Sequence, residues 1–398
     1  MCLTLMNPSF RPIVLRLAMA QITLHAAMAG VRMAAPLLAL RSDHSAFSVG
    51  VLLALFAVAQ VFLALPVGRL TDRHGLRKPV ALAVTSAFVG IALAGFYPTF
   101  GMLCFTAVLS GAASGTVMIA VQRHAGRLSH DANEIKQVFS WMAVGPTLAN
   151  FIGPLSTGLL IDAIDFGPTF WVLSVLPLLA WVAVRPLAEL IHEPHAQTEP
   201  ESAQHKGSSW NLLRIAPLRQ LLTVNWLLAS CWDVHAFMVP LLGHDLGLSA
   251  SAIGSILGAF ALAGTAMRLA LPWMVHRLPE MQVVGTAMLL TAVWFALYPF
   301  AEQAWQMALL SALLGTTLGS VQPLIMSTLH QVTPRHRQGE ALGLRMMTIY
   351  ASSVVMPMVY GSAGTLLGVG VVFWAMGSVV GAGSRLAFTL ERVRHLKA

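Results

Sequence analysis

The sequence predicts an all-α membrane protein, with twelve transmembrane helices in two six-helix bundles. Three observations carry that prediction. The 398-residue chain is 57% hydrophobic and 10% charged, whereas charged residues make up about a quarter of an ordinary soluble domain. Its apolar residues gather in runs of roughly 20, the length that crosses a hydrocarbon core of about 30 Å at 1.5 Å per residue. Its second half also repeats the first. No aqueous core absorbs so much apolar surface, so the bilayer is part of the solvent. The net charge of +8 does not point to nucleic acid, because the basic residues lie between apolar runs. Cys2, Cys104 and Cys231 form no disulfide framework.

In order, spans are expected at 13–40, 46–67, 79–97, 100–122, 137–160, 168–185, 218–242, 251–271, 281–299, 303–328, 340–361 and 366–388. The first run lacks a small-residue cleavage site and is kept as a mature span. With the amino terminus in the cytoplasm, all 24 Lys and Arg except Arg32 and Arg41 sort to the inner side. Arg268 and Arg345 are counted there with the inner loops. This bias is the positive-inside signature, and it places both termini inside.

Residues 186–217 break the apolar pattern and divide the chain into 1–185, a cytoplasmic linker, and 218–398. His192, Glu193 and His195 sit in this linker, where an irregular segment supplies no rigid metal geometry. A shift of 204 residues aligns Pro36-Leu37-Leu38 with Pro240-Leu241-Leu242 and Arg73 with Arg277, with 12 identities over positions 36–73. The same shift places Gly111 and Gly115 on Gly315 and Gly319. A shift of 203 matches Pro154 and Gly158 with Pro357 and Gly361. A repeat of this kind means two related bundles.

The stretch Gly68-Arg69-Leu70-Thr71-Asp72-Arg73-His74-Gly75-Leu76-Arg77-Lys78 resembles the signature of the major facilitator superfamily. Gly68, Leu70, Asp72, Arg73 and Gly75 fill its pattern between spans two and three. Gly153-Pro154 followed by Gly158 is similar to the antiporter pattern of the drug:proton branch. It lacks that pattern's paired glycines and carries Asn150 where a small apolar residue is usual. The resemblance implies a secondary transporter working by alternating access, with substrate between the bundles near the midplane. It also implies a conformational gate at Gly68, Asp72, Arg73, Gly75 and Arg77. Asp72 would meet the electropositive start of span eleven, and Gly68 would allow a close helix approach. The usual acidic partner of Arg73 in span four is missing, which leaves Asp131 or Glu134 in the following loop.

Gln21, His25 and Arg32 fall within about 40° of one another at 100° per residue, forming one polar stripe on the first span. An ion inside a membrane is a functional candidate by default. Arg32 either faces the cavity or snorkels to the headgroups, and His25 serves either a helix–helix hydrogen bond or a substrate or proton. Asp233 is the one carboxylate placed inside a span, with Trp226 and Ser230 on its face. Its protonation spares the cost of a charge in low dielectric, so it is either a coupling carboxylate or the partner of an arginine. His235 is rotated by about 200° and faces elsewhere. Gly153, Pro154, Gly158, Pro357 and Gly361 are either helix pivots or tight-packing positions.

These residues together predict proton-coupled efflux of a small amphipathic compound or metabolite across a bacterial-type inner membrane. The alternative is proton-symport uptake of an organic anion, with Arg32 as its cation. The partners expected are a small-molecule substrate, protons and the lipid bilayer, with no nucleic acid, and the protein is expected to be a monomer. No Gly-x-x-x-x-Gly-Lys-Ser/Thr occurs, so ATP is not expected as the energy source. No cofactor or metal is expected, nor a membrane enzyme, for want of clustered acids, bases or ligands.

Overall fold

The computed structural model describes residues 11–128, 132–187, 209–274, 279–334 and 337–395. Among them the chain forms twelve long helices. These are α1 (Arg11–Arg41), α2 (Ala46–His74), α3 (Arg77–Phe96), α4 (Phe100–Leu128), α5 (Ala132–Ile164) and α6 (Phe166–Val184), then α7 (Ala216–Asp245), α8 (Ala250–Met274), α9 (Glu280–Leu297), α10 (Ala304–Val332), α11 (Gln338–Leu367) and α12 (Val369–His395). Two 3-10 turns, Ser209–Arg214 and Tyr298–Phe300, precede α7 and follow α9. All twelve helices are long and apolar enough to cross a bilayer, which makes this a multi-pass membrane protein. Helix is the form such a segment must take, since every backbone N–H and C=O is then satisfied without water.

Several helices run well past the hydrocarbon limits expected from hydropathy. The clearest case is α2, which continues into the signature stretch as far as His74 instead of ending near 67. Arg69, Arg73 and their neighbours are acceptable in a helix once it has reached water, and nothing before Gly75 breaks it. Gly75 ends the helix with φ 72°, its N–H bonded to the Thr71 carbonyl at 3.0 Å. That backbone region strains any residue with a Cβ.

The chain divides into two compact units, Met1–Pro194 with Gly243–Gly258, and His195–Leu242 with Ala259–Ala398. In unit 1, α1 packs on α4, α5 and α6, while α4 also packs on α2 and α3. The α1–α5 crossing is close because a Cβ at Gly153 would stand 2.7 Å from the Ala26 carbonyl oxygen, and one at Gly30 would collide with the Thr157 hydroxyl. Gly158 and Gly254 admit the start of α8 to this unit. A Cβ on either would strike the carbonyl of Ala250 or Pro154 respectively. Asp162 completes that contact, its carboxylate accepting from the Ala250 and Ser251 N–H groups at 3.0 and 2.8 Å.

In unit 2, α9 packs on α10 and α12. Tyr298 stacks on Phe373 with ring centroids 4.6 Å apart, and Phe295 lies 5.7 Å from the same ring. The repeat is visible as packing. Gly111 of α4 lies against the Phe56 carbonyl of α2, and Gly315 of α10 lies against the Phe260 carbonyl of α8. Each glycine and its partner shift together by 204 positions. Low-complexity apolar sequence matches itself easily, but it does not by itself bring equivalent backbones to equivalent contacts.

Candidate functional site

Each unit holds a cluster of polar residues inside its helices. In unit 1 the α1 stripe meets α4 and α5. His25 Nδ1 lies 3.0 Å from Ser114 Oγ of α4, and Asn150 of α5 supplies a further hydrogen bond to the ring. Arg32 is half-buried, and its charge reaches the same imidazole. Gln21 is 3% exposed and lies near Gly145, yet its Oε1 accepts no hydrogen bond from the described residues. A buried acceptor left in this state costs free energy until something donates to it.

Unit 2 is built on α7 and α11. Asp233 is buried, and its carboxylate accepts from Ser352 Oγ at 2.7 Å and from Ser353 Oγ at 3.3 Å. Ser352 Oγ is 3.0 Å from Ser230 Oγ, and Ser230 donates onward to the Trp226 carbonyl at 2.9 Å. The Tyr360 hydroxyl donates to the Ser230 carbonyl at 3.4 Å. Two turns along the same helices, Arg345 Nε donates to Asn225 Oδ1 at 3.1 Å while its Nη2 donates to Gln322 Oε1 of α10. Asn225 donates in turn to Thr348 Oγ1 at 3.1 Å.

Ser230 and Asp233 therefore share a network, which Trp226 joins through its backbone carbonyl. His235 turns away from it, as its rotation on the helix requires. Its Nε2 lies 2.8 Å from Ser311 Oγ, and its ring stacks on Phe260 at 4.0 Å. Arg345 corrects the sorting of the basic residues, because it is 5% exposed inside unit 2 and not part of an inner loop. Arg268, sorted with it, lies in α8 with its guanidinium 5.6 Å from the Trp232 ring centre.

At the signature stretch, Arg73 is exposed. Arg77 ties α3 to the end of α6, its Nε and Nη2 donating to the Leu187 carbonyl at 3.1 and 2.6 Å. Among the described residues the close helix approach expected at Gly68 is not present, since a Cβ built there meets none of them within 4 Å. The side chains of Asp72 and Glu134, all of Asp131, and the linker residues His192, Glu193 and His195 lie outside what is described. So does Arg277. Pro154 lies within a continuous α5, and Pro357 and Gly361 are buried within a continuous α11. Gly153 and Gly158 lie at close approaches to the Ala26 and Ala250 backbones.

Reading the sequence missed Asn225, Gln322, Arg345, Thr348, Ser352 and Ser353. A signal existed for part of this set. Arg345, Thr348 and Ser352 fall within about 60° on α11, a stripe of the kind that singled out α1.

Comparison with known proteins agrees with this architecture. The model of the Major Facilitator Superfamily matches residues 17–280 and 221–397. The class C tetracycline resistance protein of Escherichia coli is 27% identical over 348 residues, 85% of this chain and 86% of that protein. The class B protein of the same organism is 24% identical over 330 residues, 80% and 79% of the two chains. Among solved structures, a POT family transporter in complex with a thioalcohol-conjugated peptide superposes with a TM-score of 0.74 at 13% identity. That match covers 95% of this chain and 96% of the other. Sequence model, relatives and fold agree over nearly the whole length, and the chain belongs to the Major Facilitator Superfamily.

Proposed function

We propose that this transporter couples proton movement to the efflux of a small amphipathic compound, with Asp233 as the coupling carboxylate. What carries the reading is the row of hydroxyls on Asp233. When the carboxylate is ionised, Ser352 donates to it. When it is protonated, the acid donates to Ser352, Ser352 to Ser230, and Ser230 to the Trp226 carbonyl. Hydroxyl hydrogens rotate freely, so the same heavy-atom positions satisfy both states. A carboxylate that only needed a permanent counter-ion would gain nothing from such a reversible chain.

The relatives named for tetracycline resistance support the outward direction, because a transporter protects its host from an agent by exporting it. Gln21, His25, Arg32 and Asn150 would contribute a second polar surface to the compound during its passage. Gly68, Asp72, Arg73, Gly75 and Arg77 form the gate in this reading, and Gly153, Pro154, Gly158, Pro357 and Gly361 the packing positions about which helices move. The protein works as a monomer in an inner membrane, with both termini cytoplasmic.

The test is Asp233→Asn in proteoliposomes. The variant keeps substrate binding and counterflow exchange but loses accumulation driven by a pH gradient, by at least about tenfold. Undiminished driven transport by the variant rejects Asp233 as the coupling group. Net uptake in place of export by the wild-type protein in cells rejects the direction.

A further inference from the structure

Arg345 is a buried guanidinium whose hydrogen bonds go to neutral groups. Its exposure is 5%, and its donors reach Asn225 Oδ1 and Gln322 Oε1. Among the described residues no carboxylate forms an ion pair or hydrogen bond with it. Four described acids of unit 2 are engaged elsewhere. Asp233 takes Ser352 and Ser353, Glu280 takes Ser327 and Thr328, and Glu391 caps α9 at the Met281 N–H. Glu340 pairs with Arg337 at 2.6 Å.

A cation withdrawn from water needs a counter-charge, and two amide oxygens supply dipoles only. They do hold the guanidinium plane in place, and a rigid fork of N–H donors is the geometry that takes a carboxylate or phosphate oxygen. Arg345 and Ser352 are seven positions apart, so the cation stands about 10 Å along α11 from the Asp233 network and on the same face.

We infer that Arg345, positioned by Asn225 and Gln322, is the anchor for an anionic group, and that the compound carried is an amphipathic acid or a zwitterion. This rests on the transport reading above and names the chemistry of its substrate. Anchor and coupling group are separate. The acid's negative charge is compensated by Arg345, which leaves Asp233 to gain or lose a proton without competing for the same cation. A negatively charged group on a lipid would satisfy the same guanidinium, and the experiment must distinguish the two.

The probes are 2-naphthoate and its uncharged amide, 2-naphthamide, added to the full-length protein in phosphatidylcholine nanodiscs, with binding read as a shift in melting temperature and as a titrated affinity. Naphthoate is expected to bind at least about tenfold more tightly than naphthamide, the loss typical of removing one charged hydrogen-bond partner. Arg345→Gln abolishes that preference and Arg345→Lys keeps part of it. Where Arg345→Gln does not fold, Asn225→Asp replaces it. This substitution supplies an internal carboxylate at Nε, which raises the melting temperature of the ligand-free protein and removes the preference for naphthoate. Equal binding of the two probes overturns the inference, as does a preference that survives in Arg345→Gln or Asn225→Asp. So does loss of the naphthoate effect when phosphatidylglycerol is included, which assigns the cation to lipid. Each of these results is read on binding and bears on the anchor alone, whereas the coupling reading fails on undiminished driven transport by Asp233→Asn, so the two failures are distinguishable.

Discussion

Gln21 of α1 and Asn225 of α7 occupy equivalent positions under the 204-residue shift, and both are buried amides. Their circumstances are opposite. Asn225 accepts from Arg345 and donates to Thr348, whereas the Gln21 oxygen accepts nothing from the described residues. One turn or two further on, α1 presents His25 and α7 presents Asp233. The partners of these groups on α5 and α11, Asn150 and Ser353, are themselves equivalent under the 203-residue shift. The two units thus share a scaffold and differ in charge. Duplicated backbone contacts such as Gly111 on Phe56 and Gly315 on Phe260 are held in common because a close approach admits only glycine. Side chains lining the polar face are free of that constraint and have diverged.

Attacking the shared scaffold should have the largest effect, and a similar one in both units. Gly111→Ala and Gly315→Ala each drive a Cβ into a backbone carbonyl that cannot step aside, which should cost about 1–3 kcal/mol or more. Both variants should melt several degrees lower in detergent. Gly68→Ala is the control, because none of the described residues stands within 4 Å of its added methyl. That substitution should raise helix stability by about 0.5–1 kcal/mol. A large drop in only one of the glycine pair would break the equivalence.

The polar positions should then respond unequally. Asn225→Leu takes a partner from a buried guanidinium and should destabilise by about 1–3 kcal/mol. Gln21→Leu removes an acceptor that has no donor, so it should be neutral or slightly stabilising in the absence of substrate. Thermal melts of the two variants side by side sharpen the comparison, and equal losses would mean that Gln21 is satisfied after all. The smallest effect belongs to Arg41–Asp165, a 3.0 Å ion pair whose side chains are 62% and 67% exposed. Arg41→Ala should change stability by about 0–1 kcal/mol, because water and salt screen the pair. A larger loss would mean that Arg41 also matters through its place 5.6 Å from the Phe166 ring.

Most of the architecture is written in the sequence. Twelve apolar runs and the distribution of Lys and Arg mark out helices because a bilayer leaves an apolar segment few other folds. Glycines and prolines that recur at a fixed shift betray the repeat, since their positions are fixed by backbone geometry. The same local reasoning found the α1 stripe and the face of α7 that carries Trp226, Ser230 and Asp233. It stopped at the helix ends, where hydropathy marks the edge of the hydrocarbon and not the last intrahelical hydrogen bond. For that reason α2 was expected to end before the signature stretch, whose first seven residues, Gly68 to His74, it in fact contains.

The partners were decided by tertiary structure alone. Periodicity gives the angle of a side chain about its own axis and says nothing of the helix opposite. Ser352 on Asp233, Ser114 on His25, and Asn225 with Gln322 on Arg345 all join residues from different helices, 23 to 120 positions apart. Arg345 shows the limit most plainly. In the sequence it is one more arginine near the inner end of a span, to be counted with the loops. Packed between α7 and α10 it becomes a buried cation with neutral neighbours, and burial is a property of the assembled helices.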